Sequence, residues 1–291
     1  MTLTGTNIME FETMDWNGIW KDLYNRNVAS RGRGECATIW ESRKKAEEFL
    51  ARSREDPGRI ENVIDALRPA PESRILDIGA GPGTLAVPLA RLTRQVTAVE
   101  PAAGMADVME EYALGNGIQN LKIVRKRWED IDPAADLDGP YDIVFASHSL
   151  GMPDIRGAVG KMAAVASGRV FLFWFGGITS WEKPMVDLWP QLHGREYQPG
   201  PKVDVLFNVL WSMGICPNVE VGLLDHTRLY PDIDAALADL REQFGIANPE
   251  QEDILRKYLE STLVQKNGQF FLPGTTTGAR LWWDTWPNGG G

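Results

Sequence analysis

The chain has 291 residues, 43% of them hydrophobic and 24% charged, with a formal net charge of −10. That balance belongs to a folded chain with a sizeable core, not to a disordered one. The excess of acid argues against nucleic acid as a partner, because a protein that grips phosphate needs a basic face to replace its counterions. The short run Arg125-Lys126-Arg127 is too small to reverse this and reads as a solvated loop. No apolar run approaches the ~20 residues that cross a bilayer. Residues 1–15 lack the basic-then-apolar layout of a signal peptide, so a cytosolic protein without a membrane partner is expected. Cys36 and Cys216 sit neither in a CxxC nor beside a histidine. They read as ordinary thiols, and neither a disulfide scaffold nor a metal is expected.

Residues 1–72 read as a helical cap. Trp16, Ile19, Trp20, Leu23 and Tyr24 share one helical stripe. A second helix is predicted over 35–52 and a third over 60–67, where Ile60, Val63, Ile64 and Leu67 line one face. Arg31-Gly32-Arg33-Gly34 and Asp56-Pro57-Gly58 separate them, and Pro69 and Pro71 close the segment. From residue 73 the rhythm changes. Short apolar runs at 75–78, 96–99, 121–124, 143–146 and 170–175 alternate with helix-length stretches at 85–92, 102–114 and 156–166. Runs apolar on both faces suit a parallel sheet covered by helices, and the alternation predicts a doubly wound α/β fold with right-handed crossovers.

Residues 73–291 are taken as one domain, with 176–215 as an insertion or cap region. The long connection 176–201 carries Trp181, Trp189, His193 and Tyr197, and a helix follows over 203–213. A strand is predicted over 219–224, helices over 233–244 and 252–265, and late strands over 269–272 and 279–283. The two late strands could form a hairpin across Pro273-Gly274. Residues 288–291 are expected to be disordered.

The chemistry concentrates in Ile75-Leu76-Asp77-Ile78-Gly79-Ala80-Gly81-Pro82-Gly83-Thr84. A strand runs into a glycine-rich turn where backbone can approach a ligand closely. Pro88 is tolerable only near a first helical turn, so the helix is expected to start immediately after Gly83, its N–H groups facing the crevice at the strands' carboxyl ends. The glycine spacing is not that of a dinucleotide fingerprint, whose last glycine would fall at Thr84. Asp77 would repel a pyrophosphate and attract an amino acid's ammonium group. Both features disfavour NAD.

This stretch resembles the first motif of the class I S-adenosylmethionine-dependent methyltransferases, and the elements after it follow that family's order from residue 73 to 175. The resemblance implies S-adenosylmethionine as cofactor and a doubly wound, mostly parallel seven-stranded sheet. It assigns Asp77, Gly79, Ala80, Gly81 and Gly83 to the cofactor. Glu100, at the end of the second strand, would accept hydrogen bonds from both ribose hydroxyls, with Pro101 beside it. Met105 matches an apolar neighbour of the adenine, and Arg127, Trp128 and Glu129 lie in the loop that receives that ring. The family often has an acid before a small residue there, so the contact could instead come from Asp130 or from backbone, and Trp128 could be a core aromatic. Ser147 and His148, after the fourth strand, lie beside the transferring methyl. His148 is a candidate general base or, alternatively, a pocket wall, since a sulfonium donor is already activated.

Trp20, Tyr24, Trp40, His193 and Tyr197 are the candidates for the acceptor side, with helix packing as the competing account for the N-terminal aromatics. The expected activity is methyl transfer by in-line displacement to a small molecule. A protein side chain as acceptor, or cofactor binding without catalysis, are the alternatives.

Overall fold

The computed structural model describes residues 14–31 and 40–285. Cys36, the breaker Gly32-Arg33-Gly34, the start of the 35–52 helix, most of the 1–15 segment and the 288–291 tail lie outside these residues. The described N-terminal helices are α1 (Trp16–Arg31), α2 (Arg43–Glu55) and α3 (Pro57–Leu67). Helix α3 starts where it does because the Asp56 side chain accepts a hydrogen bond from the Arg59 N–H and Pro57 occupies the first turn.

Alternation then sets in: β1 (Arg74–Ile78), α4 (Ala86–Leu92), β2 (Gln95–Val99), α5 (Ala103–Gly115), β3 (Leu121–Val124) and the short α6 (Pro133–Asp136). After these come β4 (Tyr141–Ser147), α7 (Ile155–Val165) and β5 (Ala166–Gly176). The remaining elements are α8 (Glu182–His193), α9 (Val203–Ser212), β6 (Asn218–Asp225), β7 (Arg228–Tyr230), α10 (Ile233–Gln243) and α11 (Pro249–Thr262). Three strands finish the chain: β8 (Val264–Lys266), β9 (Gln269–Leu272) and β10 (Thr275–Asp284).

Seven strands form one sheet in the order β3-β2-β1-β4-β5-β10-β6. The first five pair in parallel, and β10 runs antiparallel to both β5 and β6. Successive residues of each inner strand point to opposite faces, and both faces are dry. Leu76, Ile78, Val144, Ala146, Val170 and Leu172 bury against α1, α7 and α9. Ile75, Val96, Ala98, Ile143, Phe145 and Phe171 bury on the other side, against α3 and α4. The continuous apolar runs of the sequence are thus explained by two covered faces.

A separate apolar cluster joins α8, α10 and α11 to a three-stranded sheet of order β7-β9-β8. Helix α1 ties this cap to the main sheet. Its Trp20 is fully buried in the sheet core and donates Nε1–H to the Met152 carbonyl at 2.8 Å. Farther along, the Ser30 carbonyl accepts from Trp189 Nε1 at 2.9 Å, and Asn27 donates to the Gln198 carbonyl at 2.6 Å. Buried Glu182 anchors the long connection: it accepts from the Thr179 N–H and hydroxyl and from the Gly200 N–H, and pairs with Lys202 at 2.8 Å.

Three sequence expectations are corrected. Strands β9 and β10 are not a hairpin across Pro273-Gly274, because β9 pairs with β7 and β8 while β10 crosses to lie between β5 and β6. The physical reason is burial: Ala279, Leu281 and Trp283 need a covered inner position, which a surface hairpin cannot give. The helix expected over 252–265 begins at Pro249, since the Asn248 side chain caps the Gln251 N–H, and it ends at Thr262 before β8. The helix expected immediately after Gly83 begins at Ala86, behind a turn closed by the bond from the Gly83 N–H to the Ala80 carbonyl.

Candidate active site

Strand β1 pairs with β2 on one side and β4 on the other, so the connections leave β1 and β4 in opposite directions and open a crevice at their carboxyl ends. The glycine turn fills the floor of that crevice. Gly79 and Gly81 have φ of 72° and 57°, a region that costs a residue with a Cβ roughly 1–2 kcal/mol. A Cβ on Gly79 would lie 2.3 Å from the Cβ of Ser149, just past the end of β4, whereas one on Gly81 would meet nothing within 4 Å. The turn is therefore wedged against β4 at Gly79 and bare toward open space at Gly81. The Gly79 and Ala80 N–H groups both donate to the Val99 carbonyl, which fixes the turn over the end of β2.

Asp77 and Glu100 stand beside this turn. Asp77 is 2% exposed, and its Oδ2 is buried without a hydrogen-bond partner among the described residues. Burial first, and the Glu100 charge second, push its pKa well above the ordinary 3.8. A buried carboxyl with an unmet oxygen is costly unless something cationic completes it. Glu100 is better satisfied: Oε2 accepts from the Gly81 N–H and Oε1 from the Ala102 N–H, each at 2.8 Å. Burial raises its pKa, and those two N–H groups oppose the rise. Each carboxylate oxygen keeps a further lone pair for a ligand hydroxyl.

At the end of β4, His148 has φ of 57°, uncommon for a side-chain-bearing residue and characteristic of sites whose surroundings over-determine the backbone. Its N–H donates to the Phe173 carbonyl at 3.0 Å, and Ser147 Oγ lies 3.3 Å from Nδ1. Burial, then the positive charge of Arg59, then His226, press the His148 pKa from 6.5 down to about 3, so the imidazole is neutral in ordinary buffers. Its ring starts a row: His148 to Phe175 at 4.6 Å, Phe175 to Trp181 at 4.9 Å, Trp181 to His226 at 5.0 Å. Trp174 joins Phe175 at 5.4 Å and reaches Trp20 at 6.0 Å.

Arg59 acts on both imidazoles, lowering the pKa of His226 as well as that of His148. Its residue surface is exposed, yet burial is the main influence on its guanidinium. The two observations agree if the side chain lines a concavity, wet but ringed by protein. No carboxylate among the described residues forms an ion pair with it, and Asp56 influences it only through its charge.

On the adenine side of the resemblance, Met105 is 3% exposed and packs in a cluster with Leu50 of α2. The Trp128 ring is turned into the sheet core and donates Nε1–H to the Ala158 carbonyl at 3.1 Å. The turn that begins there is shaped by Lys161, whose Nζ donates to the carbonyls of Trp128, Glu129 and Ile131. Glu129 is exposed, and Pro101 and Arg127 are half-buried.

Of the acceptor-side candidates, Trp20 meets the aromatic row through Trp174, and Trp40 packs on Phe49 at 5.5 Å. Tyr24 is half-buried on α1. His193 and Tyr197 sit on Trp189 within the cap, His193 Nε2 at 2.9 Å from the Phe244 carbonyl and Tyr197 accepting from Asn27. Sequence reasoning did not single out Arg59, Lys161, Phe175, Trp181 or His226 as site residues, and no local spacing marks them.

A family model described as a methyltransferase domain matches residues 75–167. Among curated proteins, an uncharacterized protein of Haemophilus influenzae is 27% identical over 77% of this chain and 81% of its own length. A ubiquinone biosynthesis O-methyltransferase of Xanthomonas axonopodis is 34% identical over 40% of this chain and 48% of its own. The solved structure of the YcgJ protein from Bacillus subtilis has the same fold, with a TM-score of 0.52 at 16% identity, covering 76% of this chain and 97% of that one. The matched domain spans the glycine turn, Glu100 and His148, and the seven-stranded sheet carries them in the expected order. Residues 75–167 are thus a methyltransferase domain, carried on a sheet whose strand order is that of the class I methyltransferase fold.

Proposed function

We propose that the chain methylates a small, flat aromatic molecule bearing an acid group. The observation that carries this reading is the row of rings from His148 through Phe175 and Trp181 to His226, which begins at the carboxyl ends of β4 and β5. A planar acceptor gains stacking and edge contacts on such a wall that a flexible polar side chain would not. Arg59 has a guanidinium free to hold a carboxylate or phosphate at its rim.

The residues of the turn fit the methyl donor. Asp77 Oδ2, buried and unmet, takes the ammonium of the methionine part. Glu100 offers its remaining lone pairs to the ribose hydroxyls while its N–H contacts keep the turn in place. The bare backbone at Gly81 allows close approach, Gly79, Ala80 and Gly83 hold the turn in place beside it, and Pro101, Met105 and the turn 127–129 bracket the adenine. When bound, the donor supplies a methyl group on an activated sulfonium, transferred by in-line displacement.

His148 serves as a wall and hydrogen-bonding group, not as a proton acceptor, because a neutral imidazole with so low a pKa binds protons weakly. Ser147 and the Phe173 carbonyl orient it, and Arg59 favours an acceptor that arrives as an anion.

Intrinsic fluorescence tests the proposal, since Trp174 and Trp181 lie in the wall. With the demethylated donor bound, benzoate-type acids should quench the emission and their amides should not, and Arg59→Gln should weaken the acids about tenfold or more. Equal quenching by acids and amides, unchanged in the variant, would remove Arg59 from the acceptor site.

A further inference from the structure

Among the described residues, the outer strand of the large sheet, β6, pairs only with β10. Its register runs without interruption from Asn218 opposite Trp282 to Asp225 opposite Thr275, so no bulge turns the edge away. Natural sheets usually protect such an edge with Lys, Pro, a bulge or a covering element. None of those residues lies between Asn218 and Asp225. Instead the strand exposes an apolar row: Val219 at 44%, Val221 at 60% and Leu223 at 76%. These face the same side as Leu281 and Ala279, their partners on β10, which is the side covered by α9. There Trp211, 60% exposed, stacks on Phe207 at 6.4 Å.

We propose that β6 pairs antiparallel with β6 of a second copy about a two-fold axis through Val221, so that one sheet runs through a homodimer. The strand's own pattern selects a second copy as the occupant. Centred on Val221, the pairing sets Val219 against Leu223 of the second copy and Val221 against its equivalent, so that the exposed apolar row is matched along its length. Glu220 then faces Gly222, and its charge is already met by Arg280 of its own chain. Sliding the centre to Glu220 would put two carboxylates directly opposite, which is unfavourable. Sliding it to Gly222 would set Val219 against Asp225. Only one register is self-complementary, as a two-fold interface requires. Because each copy carries a net charge of −10, added salt should strengthen the association.

Sedimentation and cross-linking of the full chain test this. The wild type should be dimeric at micromolar concentration and tighten with salt. Val221→Lys, at an exposed position, should weaken the dimer about tenfold or more while binding the demethylated donor normally. In a background carrying both Cys36→Ser and Cys216→Ser, Val221→Cys should oxidise to a covalent dimer. Leu223→Cys should do so only when mixed with Val219→Cys. A monomeric wild type, a dimer indifferent to Val221→Lys, or a Val221→Cys variant that stays uncrosslinked would each overturn the proposal.

Discussion

Replacing Asp77 by asparagine separates what this carboxyl does for folding from what it does for the cofactor. In the ligand-free protein Asp77 is buried, its Oδ2 lacks a partner, and its pKa lies well above 3.8. A raised carboxyl pKa means that the unfolded chain releases the proton first as pH rises. The contribution of Asp77 to stability is therefore whole below 3.8 and is lost as pH climbs through the folded value. Asparagine does not titrate. Asp77→Asn should match the wild type in acid and become more stable than it toward neutrality, by about 1–3 kcal/mol, the cost of an unsatisfied buried polar group. The same variant should bind S-adenosylmethionine or its demethylated product ~10–100-fold more weakly, because a hydrogen bond to a charged group is worth ~1.5–3 kcal/mol. Denaturant titrations over that pH range, with and without the demethylated product, measure both effects. A variant less stable than the wild type at neutral pH, or one that binds as well, would refute the reasoning.

Other substitutions carry their own expectations. His148→Asn keeps a residue that tolerates the left-handed region, and with a folded pKa of about 3 the wild-type rate should stay flat through the usual histidine range near 6.5. A pH-rate profile with an inflection there, abolished by the variant along with a ~10²-fold or greater rate loss, would make His148 the base. The depressed pKa also means that His148 stabilises the fold above 6.5 and that this is lost as pH falls toward 3, a loss that His148→Asn should lack in acid titrations. Glu100→Ala should weaken cofactor binding by about one to two decades in calorimetry, through both the ribose contact and the loosened Gly81 N–H. Glu182→Ala should destabilise the fold by about 3–5 kcal/mol in denaturant melts, because it strands Lys202, whose side chain is 13% exposed.

The parts of the fold legible in the sequence are those governed by local rules. The glycine turn could be read because φ of 57–81° favours glycine at Gly79, Gly81 and Gly83. The parallel strands could be read because two covered faces force continuous apolar runs. Strand β10 was misjudged because its partners, β5 and β6, lie far away in sequence, and no turn signal records which sheet a strand joins. The same limit hid the proposed acceptor side: Arg59 on α3, Phe175 near the end of β5 and His226 after β6 meet only through tertiary packing. Lys161 was invisible for another reason. Its three carbonyl acceptors are backbone groups, which leave no trace in residue type.

The central claim is that the donor bound at Asp77 and Glu100 gives its methyl group to a small molecule lying on the wall of His148, Phe175 and Trp181. Transfer from a radiolabelled methyl donor into cell extract tests it most directly, with the products separated by ultrafiltration before counting. Label should accumulate in the low-mass fraction, in species retained by anion exchange, and should vanish with Glu100→Ala. Label confined to macromolecules, with none in the low-mass fraction, would contradict the account.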